Sequence, residues 1–175
     1  HVPISAYLAF LSVLLGVLYG FRYLVLANER SANEGNVHFK GVFVNHQYSK
    51  SFEFEQDFTE YLKHFVTPSV RYFSLLRPYY EIEIAKQFAR HEQYFDTFTS
   101  CNRNFKIHGK SKQLWCGECA KCAFVFAMFA PFVAKDKLTK MFGKNMYADA
   151  TLWPIYEQLL GLANVKPFDC VGTPK

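Results

Sequence analysis

Apolar residues are concentrated near the start of the chain, between Ile4 and Leu26. The run is interrupted by five small or charged residues, which are Ser5, Ser12, Gly16, Gly20 and Arg22. A membrane-spanning helix needs about 20 consecutive apolar residues, so the interruptions argue against one. We expect instead a helix over residues 4–18 that is buried nearly all round and ends at Gly20. A short, buried parallel strand is expected to follow over residues 21–26.

Later segments of the chain mostly show helical spacing. The clearest set is Phe54, Phe58, Tyr61, Leu62 and Phe65, with Ser51 as a candidate N-cap. Further helices are expected over residues 82–88, around 94–98, from about 119 to 131, and over 138–142 and 151–160. A second strand is expected over residues 70–76, and residues 37–49 are expected to form an extended or irregular connection. This pattern predicts a helix-rich α/β fold whose sheet is small or is completed by residues outside this chain.

The composition narrows the class of protein. Half of the 175 residues are hydrophobic and 18% are aromatic, which excludes a disordered chain. The length predicts one domain over residues 1–175. The net charge of +5 is too mild to indicate nucleic-acid binding by itself. Because no secretory signal is visible and the five cysteines are an odd number, we expect a cytoplasmic protein without a membrane partner.

The cysteines carry the strongest chemical signal. Cys101, Cys116, Cys119 and Cys122 have the spacing C-x14-C-x2-C-x2-C, which predicts a structural zinc module over residues 101–122. The alternatives are a disulfide pair, buried free thiols, or a site in which His108 replaces one cysteine. Four protein ligands leave no open position for catalysis, so the predicted role of the zinc is structural. Cys170 stands apart and is interpreted as a spare thiol.

A polar segment, residues 28–36, follows the first predicted strand. Ligands bind beyond the carboxyl ends of strands in open α/β sheets, so this segment is a candidate site. An ordinary surface loop would have a similar composition, and position alone does not separate the two interpretations.

Two resemblances to known families add to this picture. The W-C-G-x-C-x-K-C segment at Trp115–Cys122 is similar to the zinc module of 7-cyano-7-deazaguanine synthase, a member of the PP-loop (ATP-pyrophosphatase) superfamily. The chain as a whole resembles the MurL family, whose members are epimerases of UDP-N-acetylmuramoyl-L-alanyl-L-glutamate in bacterial cell-wall synthesis. The segments that carry this second likeness are residues 2–6, 28–36, 44–55, 72–78, 100–103 and 166–172.

The resemblance implies a fold, cofactors and partners. It implies the C-terminal part of a PP-loop type fold that uses ATP and magnesium to form an acyl-adenylate. The substrate implied is the UDP-muramoyl dipeptide. The Ser-Gly-Gly-x-Asp-Ser type loop that holds ATP phosphates in PP-loop enzymes does not occur in this sequence. We therefore expect a missing N-terminal portion of the same chain to supply it, and this chain alone to be inactive.

The resemblance also directs attention to particular side chains. Glu29 and Glu53 are candidates for moving the proton at the glutamate Cα. The candidates for binding substrate or nucleotide are Asn28, Arg30, Ser31, Asn33, Asn36, His46, Lys50 and Arg77. As alternatives, Lys50, Glu53 and Glu55 would form a solvated helix face, and Arg77 would be a surface turn residue.

A second function class remains open. The basic stretch over residues 103–112, beside the cysteines, is also compatible with a zinc-stabilised module that binds nucleic acid or a protein. The charges in it are few, and the helix after Cys122 is apolar, so nucleic acid is the less favoured partner. Another PP-loop ligase or a tRNA-modifying enzyme that shares the zinc module is a third interpretation.

Overall fold

The computed structural model describes residues 3–35, 37–104, 113–163, 165–167 and 169–172. It divides into two compact units, His1–Tyr80 and Glu81–Lys175, which are called the first unit and the second unit. The prediction of one domain over residues 1–175 stays a prediction. Among the described residues, no helix is both long enough and apolar enough to cross a membrane.

The first unit has two long helices, a parallel strand pair and a hairpin. The elements in chain order are α1 (Ile4–Tyr19), β1 (Tyr23–Leu26), β2 (Val37–Phe39), β3 (Val42–Val44), α2 (Phe52–Phe65) and β4 (Arg71–Ser74). Two short 3₁₀ turns lie at Arg30–Asn33 and Tyr48–Lys50. The helix-rich α/β class is confirmed.

The two predicted strands pair with each other in the first unit. β1 and β4 run parallel, with Tyr23 opposite Arg71 and Leu26 opposite Ser74. The buried core on this pair is formed by Ala9, Val13, Phe58, Leu62 and Tyr72. Because the strands are parallel, the residues that follow Leu26 and Ser74 emerge at the same edge of the sheet.

The prediction that α1 is buried nearly all round is wrong. Its buried residues are Ala9, Val13 and Gly16, which lie on one face at helical spacing. These small residues let the helix approach β1 closely, and a Cβ on Gly16 would lie 3.5 Å from Leu24. The bulky side chains therefore occupy the other faces, and the exposed ones are Ile4, Tyr7, Leu8, Phe10, Leu11, Leu14, Leu15, Val17, Leu18 and Tyr19. β1 is likewise only half-buried, since Tyr23 and Val25 are exposed.

Residues 37–49, expected to be extended or irregular, contain a β-hairpin. β2 and β3 are antiparallel, and the turn between them holds Lys40 and Gly41 at φ values of 49° and 79°. Two consecutive positive φ angles are typical of the tight turns that match the twist of a hairpin. Lysine at the first of these positions is not the usual Asn or Asp, so the hairpin carries no clear signal in the residue pattern.

The predicted start of α2 is confirmed. The Ser51 hydroxyl accepts a hydrogen bond from the Phe54 amide at 3.1 Å, as an N-cap residue does. The buried face of the helix carries Glu55, Phe58 and Leu62.

The second unit is helical where it is described. Its helices are α3 (Glu81–Phe88), α4 (Ala120–Phe129), α5 (Lys135–Phe142) and α6 (Trp153–Leu159). The helix predicted around residues 94–98 is wrong, since only a 3₁₀ turn at Glu92–Tyr94 forms there. The helix predicted over residues 151–160 is shorter than expected, because a 3₁₀ turn at Ala150–Leu152 precedes α6. Three of the five cysteines belong to the core of this unit, together with Trp115, Phe126 and Phe142.

Candidate functional site

The four clustered cysteines come from three local structures of the second unit. Cys101 precedes a 3₁₀ turn, Cys116 lies in the turn before α4, and Cys119 is the N-cap of α4. Cys122 lies in the first turn of α4. Their four Sγ atoms all lie within 4.8 Å of one another, so the group can hold a metal ion.

The distances between the sulfur atoms can be compared with those of a tetrahedral zinc site. A tetrahedral zinc site with Zn–S bonds of about 2.3 Å requires neighbouring sulfurs about 3.8 Å apart. The Sγ atoms of Cys119 and Cys122 are 3.5 Å apart, and those of Cys116 and Cys122 are 3.7 Å apart. The Sγ atoms of Cys101 and Cys119 are 4.0 Å apart. These three distances are close to that spacing, the other three are within 4.8 Å, and four thiols are a donor set that can hold a metal ion.

The surroundings of the cluster favour negative charge on the sulfur of Cys119 and disfavour it on the other thiols whose pKa is shifted. The backbone amide of Cys122 donates to the Sγ of Cys119, and that of Glu118 donates to the Sγ of Cys116, both at 3.4 Å. The hydrogen bond from the Cys122 thiol lowers the pKa of Cys119 to about 5. The same hydrogen bond raises the pKa of Cys122, while burial raises the pKa of Cys116. A dense group of buried thiols that share protons in this way is one that a divalent cation stabilises by neutralising several thiolates.

Neighbouring residues hold Cys101 near the other three cysteines. The Thr99 hydroxyl accepts from the Cys101 amide at 3.1 Å and donates to the carbonyl oxygen of Leu114 at 2.6 Å. Trp115, 2% exposed, packs against Phe98 and Phe142 with ring centroids 5.3 and 4.6 Å away. The cluster is therefore held by the aromatic core of the unit as well as by the chain turn at Gly117.

We expect Gly117→Ala to destabilise the protein by about 1–2 kcal/mol, because the residue has a φ of 68° that L-residues adopt with strain. The new Cβ would lie 3.1 Å from Cε of Lys144, a flexible side chain that moves aside, so the backbone strain itself should shift the turn that carries Cys116 and weaken metal binding. Urea denaturation and competition with a chelator measure the two effects. Gly143→Ala is the matched control, since Gly143 has a φ of 76° and no neighbour within 4 Å of the added Cβ. Equal loss of metal affinity in both variants would contradict the expectation.

The other expectations about residues near the cysteines have separate outcomes. Cys170 is a half-buried free thiol and is not one of the four clustered sulfurs. His108, the proposed substitute ligand, lies outside the described residues, as does most of the basic stretch over residues 103–112. Arg103 in that stretch pairs with Glu118 at 2.9 Å, and both side chains are exposed.

In the first unit, polar candidate residues lie at the carboxyl edge of the parallel strands. Arg77 is only 14% exposed in its side chain, and its guanidinium is surrounded by four acceptors. Nη1 donates to the carbonyl oxygen of Glu29 at 3.1 Å. Nη2 lies 2.9 Å from the carbonyl oxygen of Lys50, 2.9 Å from Oε2 of Glu55 and 3.2 Å from Oγ of Ser74. Arg77 thus ties four segments together, and in this structure it is not a residue of an open surface turn.

A polar cavity of about 550 Å³ also lies in the first unit. Its described lining residues are Asn33, Gly35, Phe43, Asn45, Tyr48, Ser51, Phe52, Glu53 and Gln56. Two of the predicted site residues, Asn33 and Glu53, therefore share one cavity, and Glu29 is not among its described lining residues. Partial burial, followed by the charges of Glu53 and Asp57, raises the pKa of the Tyr48 hydroxyl.

The remaining predicted site residues have identifiable places. Asn28 donates to Oγ of Ser74 at 3.1 Å. The guanidinium of Arg30 lies 5.0 Å from the ring centroid of exposed Tyr80. Ser31 is buried, and His46 is half-buried. Asn36 lies outside the described residues.

Sequence reasoning misses two residues that shape this region. Glu55, a member of the solvated helix face considered as an alternative, is buried and pairs with Arg77. Its spacing of three and seven residues from Phe58 and Leu62 is a signal that places it on the buried face. Asn45 donates to the carbonyl oxygen of Ala32 at 2.9 Å and accepts from the Gln47 amide at 2.9 Å. It thereby fixes the loop that carries Asn33.

Taken together, the chain is a helix-rich α/β protein with a polar cavity in one unit and a four-cysteine cluster of metal-binding geometry in the other. Comparison with protein-family models also divides the chain into two parts. The model of the MurL N-terminal domain matches residues 1–75, and that of the MurL C-terminal domain matches residues 97–175. The chain belongs to the MurL family.

Three similar proteins bear the name UDP-N-acetyl-alpha-D-muramoyl-L-alanyl-L-glutamate epimerase. The one from Xanthomonas oryzae pv. oryzae (strain MAFF 311018) is 44% identical over 98% of this chain and 38% of its own length. Those from Salinispora tropica and Micromonospora sp. are 42% and 40% identical over 98% of this chain and 37% and 38% of their own lengths. The chain thus spans little more than a third of the curated relatives it matches. No solved structure shows a significant match to it.

Proposed function

We propose that this chain is part of an ATP-dependent epimerase that converts the terminal L-glutamate of UDP-N-acetylmuramoyl-L-alanyl-L-glutamate to D-glutamate in peptidoglycan synthesis. The observation that supports this most is the identity of 40–44%, over 98% of the chain, to proteins named for that epimerisation. The remaining part of the same polypeptide supplies the ATP-phosphate loop in this proposal, and the isolated chain is inactive.

The proposed chemistry follows from the acidity of the glutamate Cα–H bond. Removing this proton beside a free carboxylate is difficult, because the carbanion would form next to a negative charge. Reaction of the carboxylate with ATP, with magnesium on the phosphates, gives an acyl-adenylate and releases pyrophosphate. The adenylate has no charge on the carbonyl, so a base removes the proton from one face and an acid returns one to the other. Water then hydrolyses the adenylate to the D-glutamyl product and AMP.

Two residues of the first unit are proposed to act on the Cα proton. Glu53 is exposed and lines the polar cavity, in the first turn of α2. Glu29 directly follows Asn28 at the carboxyl edge of the sheet, and its carbonyl oxygen is fixed by Arg77. Asn33 is proposed to position the substrate, because it lines the cavity and its side chain is held in a fixed orientation. It accepts from the Phe52 amide at 2.6 Å and donates to the carbonyl oxygen of Arg30 at 2.9 Å.

The metal of the second unit is proposed to be zinc with a structural role. Four thiolates at tetrahedral spacing satisfy the ion and leave no position for substrate. The zinc would join Cys101 to the start of α4. The cofactors proposed for the whole enzyme are therefore a structural zinc ion, ATP and magnesium.

The whole protein, incubated with ATP, magnesium and the L-glutamyl nucleotide, is expected to form one D-glutamyl product for each AMP released. Glu53→Gln should lower the rate of epimerisation by about 10²–10⁴-fold, because it removes a proton-transfer group. The same variant should still release pyrophosphate, since adenylation does not need that group. Chiral analysis of the released glutamate and a pyrophosphate assay separate the two steps.

Glu60→Gln is the matched control on the same helix, because Glu60 is exposed and pairs locally with Lys63 and His64. It should epimerise at the parent rate. Formation of D-glutamyl product without AMP release would contradict the adenylation step. Equal activity of Glu53→Gln and the parent would remove Glu53 from the proposed mechanism.

A further inference from the structure

The outer face of α1 is apolar and exposed in the described part of the chain. The helix has 16 residues and contains no charged residue. Opposite its buried face lie four large apolar side chains, spaced four, three and four residues apart. This outer stripe consists of Tyr7, Leu11, Leu14 and Leu18, which are between 36% and 68% exposed. A helix that is apolar on all its faces is normally buried on all of them, so the outer stripe lacks a cover.

The spacing of the outer stripe indicates the kind of structure that would cover it. Apolar residues at alternating intervals of three and four form a continuous seam along a helix, and such a seam packs against the side chains of another helix. The second helix of the first unit, α2, does not cover the seam. Its residues Phe58 and Tyr61 pack against Phe10, on a flank of α1, with ring centroids 4.8 and 5.9 Å away. The outer stripe therefore calls for a further helix.

The sheet of the first unit is also covered on one face only. Tyr23 and Val25 of β1 and Phe73 of β4 alternate with the core residues of the same strands, and all three are exposed. β1 and β4 are parallel, and parallel sheets are normally covered on both faces. Both observations are typical of the inner part of a larger domain.

A second copy of the chain and a lipid surface fit the outer stripe less well than more polypeptide does. One face of α1, about 24 Å long and about 10 Å wide, covers roughly 250 Å². Stable dimers bury roughly 800 Å² on each partner. Helices that bind to membrane surfaces carry Lys and Arg on a polar face, and α1 contains neither.

We propose that the outer stripe of α1 packs against a helix of the same polypeptide that lies outside these 175 residues. The three named relatives have the length for such a helix, since this chain spans only 37% or 38% of each. Packing within one polypeptide avoids the loss of translational and rotational freedom that association costs, so a small apolar face is sufficient. The inference rests on membership of the MurL family and does not depend on the proposed reaction.

A photoreactive amino acid in place of Leu14 identifies what covers the stripe. In the whole-length protein, we expect it to crosslink within one polypeptide, to a peptide outside the 175 residues. Denaturing electrophoresis distinguishes this product from a crosslinked pair of chains, and mass spectrometry identifies the peptide.

Tyr7→Glu combined with Leu14→Glu measures the packing itself. Both charges would be buried in the whole-length protein, so its melting temperature should fall by more than about 5 °C. In the 175-residue protein both positions are exposed, so the melting temperature should change by less than about 2 °C. Gln87→Glu, at an exposed polar position of α3, is the control for added charge and should leave both proteins unchanged.

A crosslink to a second copy or to residues 1–175, or the absence of any crosslink, would overturn the inference. Equal changes in melting temperature in the two lengths of protein would do the same. Binding of the whole-length protein to phosphatidylcholine vesicles that the double variant loses would assign the stripe to lipid instead. A whole-length protein that crosslinks as expected but does not epimerise contradicts the proposed function alone. One that epimerises without this crosslink contradicts the docking surface alone.

Discussion

Cys122→Ser is expected to remove the metal from the protein and to unfold much of the second unit. Cys122 is fully buried, and its Sγ lies 3.5 Å from that of Cys119 and 3.7 Å from that of Cys116. A serine hydroxyl is a poor zinc ligand, and it would leave three thiols in the aromatic core without a shared cation. Binding of structural zinc contributes directly to folding free energy, so its loss should be large.

Metal analysis and thermal denaturation measure the effect. We expect zinc to fall from one ion per chain to almost none, and the melting temperature to fall by more than about 10 °C. The same change should follow from Cys101→Ser, although Cys101 is 15 residues before Cys116, because all four sulfurs share one site. When zinc is added to metal-free protein, the melting temperature of the parent should recover, and that of the two variants should not.

Cys170→Ser is the matched control for these substitutions. Its thiol is half-buried in the same unit but does not belong to the cluster. It should keep one zinc ion per chain and melt close to the parent. A purified parent without metal would show that the cluster is a group of buried thiols, and a Cys122→Ser protein that retains its zinc would show that the ion does not depend on Cys122.

Arg77→Met is expected to destabilise the first unit by about 3–5 kcal/mol, because it leaves the buried carboxylate of Glu55 without its cation. The ion pair is 2.9 Å long, and the two side chains are only 14% and 10% exposed. The substitution also removes the donor that holds the carbonyl oxygens of Glu29 and Lys50. Urea denaturation followed by circular dichroism measures the loss.

Two further variants distinguish the loss of the Arg77–Glu55 ion pair from the loss of an arginine side chain. Arg77→Met combined with Glu55→Met removes both charges, so it should recover a large part of the stability that Arg77→Met loses. Arg71→Met, at an exposed position of β4, should change stability by less than about 0.5 kcal/mol. If Arg77→Met were as stable as Arg71→Met, Arg77 would be available to bind a ligand, as the sequence suggests, and would not organise the edge of the sheet.

The contacts of Arg77 with the protein bear on its role in the proposed enzyme. The sequence suggests Arg77 as a phosphate or carboxylate ligand, but four protein acceptors already surround its guanidinium. Its contribution in this structure is to hold Glu29 and Lys50, which are close in the chain to the cavity residues Asn33 and Ser51. Contact between Arg77 and the substrate stays a prediction.

Most of the elements that are predicted correctly from the sequence depend on interactions between residues that are close together in the chain. The prediction of α2 depends on the spacing of Phe54, Phe58 and Leu62 and on the cap at Ser51, all of which act within a few residues. Gly20 ends α1 at a φ of 74°, a conformation that glycine adopts without strain. The errors arise where packing decides whether a segment becomes a helix or which faces of a helix are buried. Examples are the 3₁₀ turn at Glu92–Tyr94 and the exposed faces of α1.

The sequence by itself determined the helix-rich class, the family and the four cysteines, because residue spacing and ligand type are written in the chain. Tertiary structure alone decided that Cys101 reaches the other three sulfurs, that Glu55 is buried against Arg77, and that Asn33 and Glu53 share a cavity. These residues lie about 15 to 22 positions apart along the chain, and sequence spacing does not fix distances over such separations. The contacts form because the parallel strand ends meet at one edge and the aromatic core holds the cysteine turns together.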